Sequence, residues 1–370
     1  MNEIQTLHDA AMELADQAFL ARLQSAPEKA VDLMRRAFEK EREAANRVSM
    51  DYSLEPTRSV LHRSAAALAL QVNEARQAEK LIAAGLSGEP PEEIAEELRS
   101  LLEQAHFQRH LSLRGLVLAP NEFQFSLMGA AVGPGIAESE EFVGRVQSVE
   151  KLVYRTAERK AGRRFREAGR RDSKLKKEIK LYVSMPRAAS FAVSFKIGER
   201  TQPNLPGMGF GAEIVDDLFE CLGLFGSSRT ENLRGKIPDE GYYRNFIGLA
   251  RTLAPDGVAI RAVGFTAVRG GQEVHVALST PRAESPVATS AAGPETRKRI
   301  HVRGTLKFAD AMKEEGLLKL VATNGVQHKI KVPCGMMSDI VRPLWDYEVE
   351  VVGFDTPRWI VMEDIHKCGG

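Results

Sequence analysis

The 370-residue chain is predicted to be a multidomain α+β protein with three parts: an N-terminal helical-hairpin array, a central α/β sandwich with a mainly antiparallel sheet, and a C-terminal small β-barrel. Apolar residues recur at helical spacing up to about Leu111 and alternate at strand spacing after Asn121. Residues 284–295 resemble a linker, because they hold Pro, Ser, Ala and Gly and only one large apolar side chain. These observations predict a helical domain (1–111), an α+β domain (112–283), a linker (284–296) and a barrel domain (297–370).

Composition bounds the class of protein. The formal net charge is +1 and 43% of the residues are hydrophobic, which suits globular domains and indicates no particular partner. The three cysteines, Cys221, Cys334 and Cys368, form no CxxC pair, which favours a reducing compartment. The first 30 residues lack the layout of a signal peptide, and no apolar run reaches about 18 residues. We therefore expect a cytoplasmic protein without a membrane partner.

The N-terminal third is punctuated as a series of helices. Pro27, Pro56 and the pair Pro90-Pro91 stand where helices begin, and Asn73 and Gly88 stand where they end. Val31, Met34 and Phe38 are expected on the buried face of one of these helices.

Part of this region resembles a known repeat. The spacing of the tetratricopeptide second helix is matched by Ala78, Ile82, Gly85, Leu86 and Pro90, and that of the small packing residues of its first helix by Ala66 and Ala69. The resemblance implies degenerate helical hairpins that present a surface to a protein partner. The alternative is a helical bundle that only packs on the next domain.

The middle region predicts strands and helices in mixed order. Strands are expected around residues 123–127, 181–185, 189–197, 259–268 and 273–280, and the last two flank Gly270-Gly271 as a hairpin. Helices are expected from Ser139, around residues 214–225, and after Pro238. The hairpin and the helices between early and late strands favour an antiparallel sheet of the α+β class over a doubly wound parallel sheet.

The C-terminal region predicts five short strands with one helix between the third and the fourth. Ile300 to Phe308 alternate as one strand with Phe308 on the apolar side, and Asn324-Gly325 predicts a two-residue turn with positive φ at both positions. This order resembles a small OB-like or SH3-like barrel, an architecture that several functions use. Trp345 is expected in the core, and Trp359 is the better surface candidate.

One segment, residues 155–180, is strongly basic. Its candidate nucleic-acid-binding side chains are Arg159, Lys160, Arg163, Arg164, Arg166, Arg170, Arg171, Lys174, Lys176 and Lys177. Such a run can neutralise phosphates, although only Phe165 offers a plane for stacking. The alternatives are a solvated helix end that continues into a charged loop, and a site for an acidic protein.

Motifs for catalysis are weak. His106 and His110 are spaced for a shared metal on a helix, the glycine-rich stretch 129–135 could face a phosphate, and Cys334 with His328 could form a nucleophile and base. None of them completes a motif, so we assign no catalytic residue, no metal and no cofactor.

Three hypotheses follow. The first is a non-catalytic cytoplasmic interaction protein, a regulatory or accessory component of a multi-protein system that binds a protein partner through its N-terminal helices. The second is a nucleic-acid-binding protein that uses the basic segment and the barrel. The third is an enzyme of unfamiliar type with its site in the α+β domain. The sequence from Pro186 to Phe191 (PRAASF) resembles a strand start in uncharacterised bacterial proteins, which implies no activity.

Overall fold

The structure is a computed structural model that describes residues 2–24, 26–111, 117–133, 136–167, 175, 179–184, 192–198, 209–288, 298–310, 316–322 and 325–368. It divides into two compact units, Met1–Ser112 and Leu113–Gly370. The predicted class is confirmed: helices form the first unit, and the second holds an antiparallel sheet, its helices and a closed barrel. None of the described helices is both long and apolar enough to cross a membrane.

The first unit is an array of helices in which each packs on the next. They are α1 (Asn2–Leu23), α2 (Pro27–Val48), α3 (Thr57–Gln71), α4 (Ala75–Leu86) and α5 (Glu92–Leu111). Small residues let the helices approach closely, and Ala66, Ala69 and Ala78 are fully buried. A Cβ atom on Gly85 would lie 2.9 Å from the Leu98 side chain, so α4 and α5 need glycine there. The prediction for Val31 is wrong: it is 57% exposed.

A buried arginine fixes the loops of this unit. The Arg58 side chain is fully buried. Its guanidinium donates to the backbone oxygens of Ser49 (2.9 Å) and Ala84 and pairs with the Glu55 carboxylate at 2.9 Å. Because a buried charge is tolerated only when it is fully hydrogen-bonded, this network holds the ends of α2 and α4 to the start of α3.

The second unit begins with an antiparallel sheet. Its strands are β1 (Glu122–Met128), β4 (Leu181–Val183), β5 (Ala192–Ile197), β6 (Ala262–Arg269) and β7 (Gln272–Leu278), in the order β4-β5-β1-β6-β7; a separate small hairpin is formed by β2 (Val132–Gly133) and β3 (Ile136–Ala137). The predicted hairpin at Gly270-Gly271 is confirmed, with φ of 57° and 80°. The PRAASF stretch falls on residues outside the described ranges.

This sheet is accompanied by the helices α6 (Ser139–Lys160), α7 (Phe210–Gly226), α8 (Thr230–Lys236) and α9 (Glu240–Leu253). Alternate sheet residues carry phenylalanines that form one aromatic cluster with α7, and ring centroids lie 5.3 Å apart for Phe123 and Phe195 and 6.3 Å apart for Phe219 and Phe265. This burial explains why the odd-numbered residues of β1 are apolar.

The barrel is closed by five strands: β8 (Arg299–Asp310), β9 (Gly316–Val321), β10 (Gln327–Val332), β11 (Glu348–Asp355) and β12 (Ile360–Lys367). Each pairs with its neighbours in the cyclic order β8-β9-β10-β12-β11, and only β10 and β12 are parallel. Two short helical turns, Met337–Val341 and Arg342–Leu344, lie between β10 and β11. Trp345 was expected in the core, but it is 47% exposed because it follows these turns with an extended backbone.

The turn between β9 and β10 differs from the prediction. Val321 lies opposite Gln327, and the Ala322 amide donates to the Val326 carbonyl, so the loop has three residues instead of two. Gly325, with φ of 80°, closes the loop by donating to the Ala322 carbonyl. Asn324 is outside the described residues. A two-residue turn would have shifted the register by one and mixed lysines with the apolar side chains of the barrel.

The barrel and the α+β part share one hydrophobic core and a buried ion cluster. Asp364 of β12 pairs with Arg251 at 2.8 Å and with Arg282 at 2.9 Å. Arg251 also donates to the carbonyl of Ser285, which is buried, so the first residues of the predicted linker pack against α9. The start of the predicted linker is therefore packed at Ser285 and Pro286, because the carbonyl groups of these two residues accept from this arginine. Residues 289–297 are outside the described ranges.

Candidate nucleic-acid interface

The outer face of the barrel brings together side chains that are far apart in the sequence. Strand pairing places Phe308 opposite Lys319, and Lys319 opposite Lys329. Strand β10 then pairs in parallel with β12, and the register brings Trp359, directly before β12, next to Lys329. These four residues form a line across the strands, which we call the lysine–aromatic row.

Two local features turn these side chains outward. In β9 and β10 the alternate residues Leu318, Leu320 and Ile330 are fully buried, so the lysines between them point to solvent. In β8 the register shifts between Leu306 and Phe308, which leaves an extra residue in a β-bulge. The prediction that Phe308 lies on the apolar side is therefore wrong: the bulge moves it to the outer face.

Both aromatic rings of the row are accessible. Phe308 is 39% exposed and Trp359 is 37% exposed. The Lys319 ammonium lies 5.0 Å from the centroid of the Phe308 ring, and the Lys331 ammonium lies 5.5 Å from that of Trp359. Such cation–π contacts at exposed sites are worth about 0.5–1 kcal/mol. Each ring thus has a lysine ammonium group close to it and part of its aromatic surface exposed to solvent.

The charges of the row are not balanced. Lys319 and Lys329 face each other directly, and like charges in that position destabilise a sheet. Within the part of the chain that the structure describes, neither ammonium has a carboxylate within the 4.0 Å of an ion pair. The neighbouring line of outward positions, by contrast, holds Asp310 together with Lys331, one acid and one base.

The opposite side of the barrel is neutralised. Glu350 of β11 accepts from His301 at 2.8 Å and from Arg303 at 2.8 Å, and Arg299 pairs with Glu363 at 2.7 Å. The hydrogen bond from His301, with that from Arg303, holds the pKa of Glu350 below its ordinary value. Cations on this side already have partners, which distinguishes it from the lysine–aromatic row.

The first cations of the basic segment are also paired. Arg159 forms an ion pair with Asp217, which is buried on α7, and the Lys160 ammonium lies 3.8 Å from the Glu213 carboxylate. Arg155 is buried against Asp339 at 2.6 Å. These contacts hold α6 against α7 and the barrel.

The remaining candidates of the segment lie in or beyond the loop that follows α6. Arg163, Arg164 and Arg166 are exposed. Glu167, which ends this described stretch, is partly buried, and its carboxylate accepts from the backbone amides of Gly335 and Ser338, just after β10. The other candidates are outside the described residues: Arg170, Arg171, Lys174, Lys176 and Lys177.

The other candidate sites do not assemble. In the described ranges no three His, Cys, Asp or Glu side chains are grouped to hold a metal, and the side chain of His110 is not among those described. His328 and Val332 are separated by about 13 Å of strand, which takes Cys334 out of reach of His328. The glycine-rich stretch contributes to the hairpin β2–β3.

One hydroxyl–imidazole pair occurs in the central sheet. The Thr266 hydroxyl lies 3.1 Å from Nδ1 of His275, and burial lowers the pKa of His275. Because Thr266 is fully buried, a substrate cannot reach its hydroxyl. This pair therefore stabilises the pairing of β6 with β7 and offers no catalytic site.

Sequence reasoning missed Phe308, Lys319 and Lys329. A signal was present: the buried residues Leu318, Leu320 and Ile330 are all even-numbered, and only a loop with an odd number of residues lets them share one face. That parity would have set Lys319 opposite Lys329. Comparison of the chain with protein-family models, with curated proteins and with solved structures found no match.

Proposed function

We propose that the chain binds single-stranded nucleic acid across the lysine–aromatic row. The observation that carries this proposal is the line Phe308, Lys319, Lys329, Trp359: two adjacent cations that have no carboxylate partner among the described residues, between two exposed rings. No contact within the described ranges compensates for the repulsion of the two lysines, whereas a bound phosphate would. The row is the only unbalanced line that we find among the described outward positions of β8, β9 and β10.

The rings favour a single strand over a duplex. Base–aromatic stacking is worth about 1–3 kcal/mol per base, more than the cation–π contacts of the free protein. A base can therefore displace an ammonium from its ring, and the ammonium can move to the adjacent phosphate. Bases in a duplex are already stacked on each other, so a duplex would engage the lysines alone.

The topology agrees with this proposal. A five-stranded Greek-key barrel with a helical segment between its third and fourth strands is the arrangement of OB-folds, which bind oligonucleotides on strands 2 and 3 and on the loops 1–2 and 4–5. In this chain Lys319 and Lys329 lie on the second and third strands, and Trp359 lies between the fourth and fifth. The OB-like assignment is part of the proposal.

Salt dependence tests the lysines. Fluorescence anisotropy with labelled single-stranded RNA and DNA should give an affinity that falls with salt, with a slope of about 0.7 per phosphate contact. Lys319→Gln and Lys329→Gln should each reduce that slope by about one contact. Arg303→Gln, which removes an equal charge from the neutralised side, should leave it unchanged. No binding by the parent protein at low salt would overturn the proposal.

The two tryptophans of the chain allow a direct test of stacking. In Trp345→Phe only Trp359 remains, and a single strand should quench its fluorescence on binding. In Trp359→Phe, where Trp345 is the fluorophore, the same strand should change the signal little. Equal quenching in both variants, or quenching by heparin, which has charges but no bases, would contradict stacking on Trp359.

A second candidate function concerns the first unit, which we propose to bind a protein partner as the tetratricopeptide resemblance implies. Phe19 and Leu20 on α1 are 59% and 53% exposed, and Val31 on α2 is 57% exposed, so large apolar side chains of the first two helices are open to a partner. In this role the chain is a regulatory or accessory component of a larger system. A photo-crosslinking residue at position 19, but not at Glu43, should capture one defined protein in cells.

A further inference from the structure

The arginine loop, residues 161–167, joins the central part of the second unit to the end of strand β10. Oε1 of Glu167 accepts from the backbone amide of Gly335, and Oε2 accepts from that of Ser338 at 3.2 Å. Both donors lie in the segment that follows β10, the strand that carries Lys329 and Lys331. The carboxylate of Glu167 therefore fixes the loop to a segment that begins just beyond β10, with Gly335 six residues after Lys329 of the lysine–aromatic row.

Arg155 fixes the same loop from the helix side. Its guanidinium donates to the carbonyl of Arg166 at 3.3 Å and to the Asp339 carboxylate at 2.6 Å, and it lies 4.6 Å from the centroid of the Phe165 ring. The Tyr242 hydroxyl donates to the Arg163 carbonyl at 3.1 Å. Three backbone or ring positions of the loop are thus held while its arginine side chains stay exposed.

This arrangement is unusual for a solvated charged loop. In a loop that is simply solvent-exposed, a carboxylate would stay in water, because burial of a carboxylate costs free energy unless it is hydrogen-bonded. Here Glu167 is partly buried and is satisfied by two backbone donors of the barrel. The loop is therefore docked with its cations outward.

We propose that the arginine loop and the lysine–aromatic row form one composite interface, in which Glu167 and Arg155 are positioning residues that hold Arg164 and Arg166 against the path of a bound strand. This inference rests on the proposed function. A short strand fills the row, and a longer strand continues past the end of β10 to the arginine loop. Affinity should then rise with the length of the strand until both parts are covered.

The test compares a short strand of about six nucleotides, near the lower end of the site sizes of single barrels, with one of about twenty, which exceeds them. In the full chain, Arg164→Glu with Arg166→Glu should weaken the long strand about tenfold or more and leave the short strand within about twofold. Glu167→Ala removes no cation, yet it should also lower the affinity for the long strand only, because the arginines are no longer held in place.

Glu150→Ala on the exposed side of α6 is the matched control for charge and should change neither affinity. Trypsin cleavage after Arg163 and Arg164 should be faster in Glu167→Ala than in Glu150→Ala, which shows release of the loop independently of binding. Long-strand affinity that is unchanged in Glu167→Ala despite faster cleavage would overturn the composite interface, and so would unchanged cleavage. If the short strand binds and responds to Lys319→Gln in those cases, the proposed function stands; if no strand binds, both fail.

Discussion

The basic segment 155–180 and the barrel strands β9 and β10 hold cations in two different surroundings. In the basic segment the cations are concentrated in the sequence, yet the first arginines, Arg155 and Arg159, are paired with the buried carboxylates of Asp339 and Asp217. On the barrel the lysines are sparse in the sequence, but the strand register sets Lys319 beside Lys329, and neither is paired with a carboxylate of the described residues. This comparison shows that a run of positive charge in the sequence does not by itself define an anion site. What matters is whether the fold supplies counter-charges.

The largest effect should come from breaking the pairing on α6. Arg155→Met leaves the Asp339 carboxylate buried without its ion partner, which typically costs about 3–5 kcal/mol. Urea unfolding followed by tryptophan fluorescence measures this, since Trp345 and Trp359 both lie in the second unit. Arg303→Met removes an exposed pair and should cost less than about 1 kcal/mol. A similar decrease in the free energy of unfolding in both variants would contradict the difference that we describe between the two regions.

The second effect is a pH dependence of the buried pair at Asp364. Burial alone would raise the pKa of this carboxyl, but the charges of Arg282 and Arg251 and their hydrogen bonds outweigh burial and lower it from 3.8 to about 2. The pair therefore contributes stability, roughly 2 kcal/mol, that is present above pH 4 and is lost as pH falls through about 2.

Asp364→Asn tests that window. The difference in unfolding free energy between the parent and this variant should shrink as pH falls from 4 to 2, because the parent carboxyl becomes neutral too. The row has no such carboxylate, so Lys329→Gln should track the parent over the same range. A difference that is constant with pH would mean that Asp364 is not held ionised by its arginines.

A third effect tests the turn that sets the register of the row. Gly325 has a positive φ of 80°, so Gly325→Val places a β-branched residue in the left-handed region, at a cost of about 1–2 kcal/mol. The exposed change Gln327→Thr should have little effect. Oligonucleotide affinity should fall in Gly325→Val if the strained turn disturbs the pairing of Lys319 with Lys329. Equal melting temperatures for the parent and Gly325→Val would contradict the positive φ of Gly325 in this turn.

Much of the fold followed from periodicity. Alternation predicted strands of the five-stranded sheet and of the barrel, and Gly270-Gly271 predicted its hairpin correctly, because a two-residue turn with two positive φ values is a local property. Helical spacing and small residues such as Ala66 and Ala78 predicted the close-packed first unit. Local chemistry sufficed for these elements.

The candidate site followed less well. The exposure of Phe308 depends on a β-bulge, and the position of Lys319 depends on a three-residue loop. Both features are set by the requirement that the apolar residues of the whole barrel face its interior. The neutralisation of Arg155 and Arg159 depends on carboxylates 184 and 58 residues away in the chain. These two long-range ion pairs leave no local sequence signal, unlike the lysine pair, which the parity of the buried residues indicates.

The most direct test of the account is Lys329→Glu, measured for stability and for binding in the same preparation. The new carboxylate lies opposite Lys319, so the like-charge pair becomes an attractive cross-strand pair worth about 0.2–1 kcal/mol, and the contact of Lys319 with the Phe308 ring is kept. We predict that the variant unfolds at a slightly higher urea concentration than the parent and binds single strands at least tenfold more weakly. A variant that is as stable as the parent or less so, or that keeps its affinity, would contradict the claim that this row is an anion site left unbalanced by the fold.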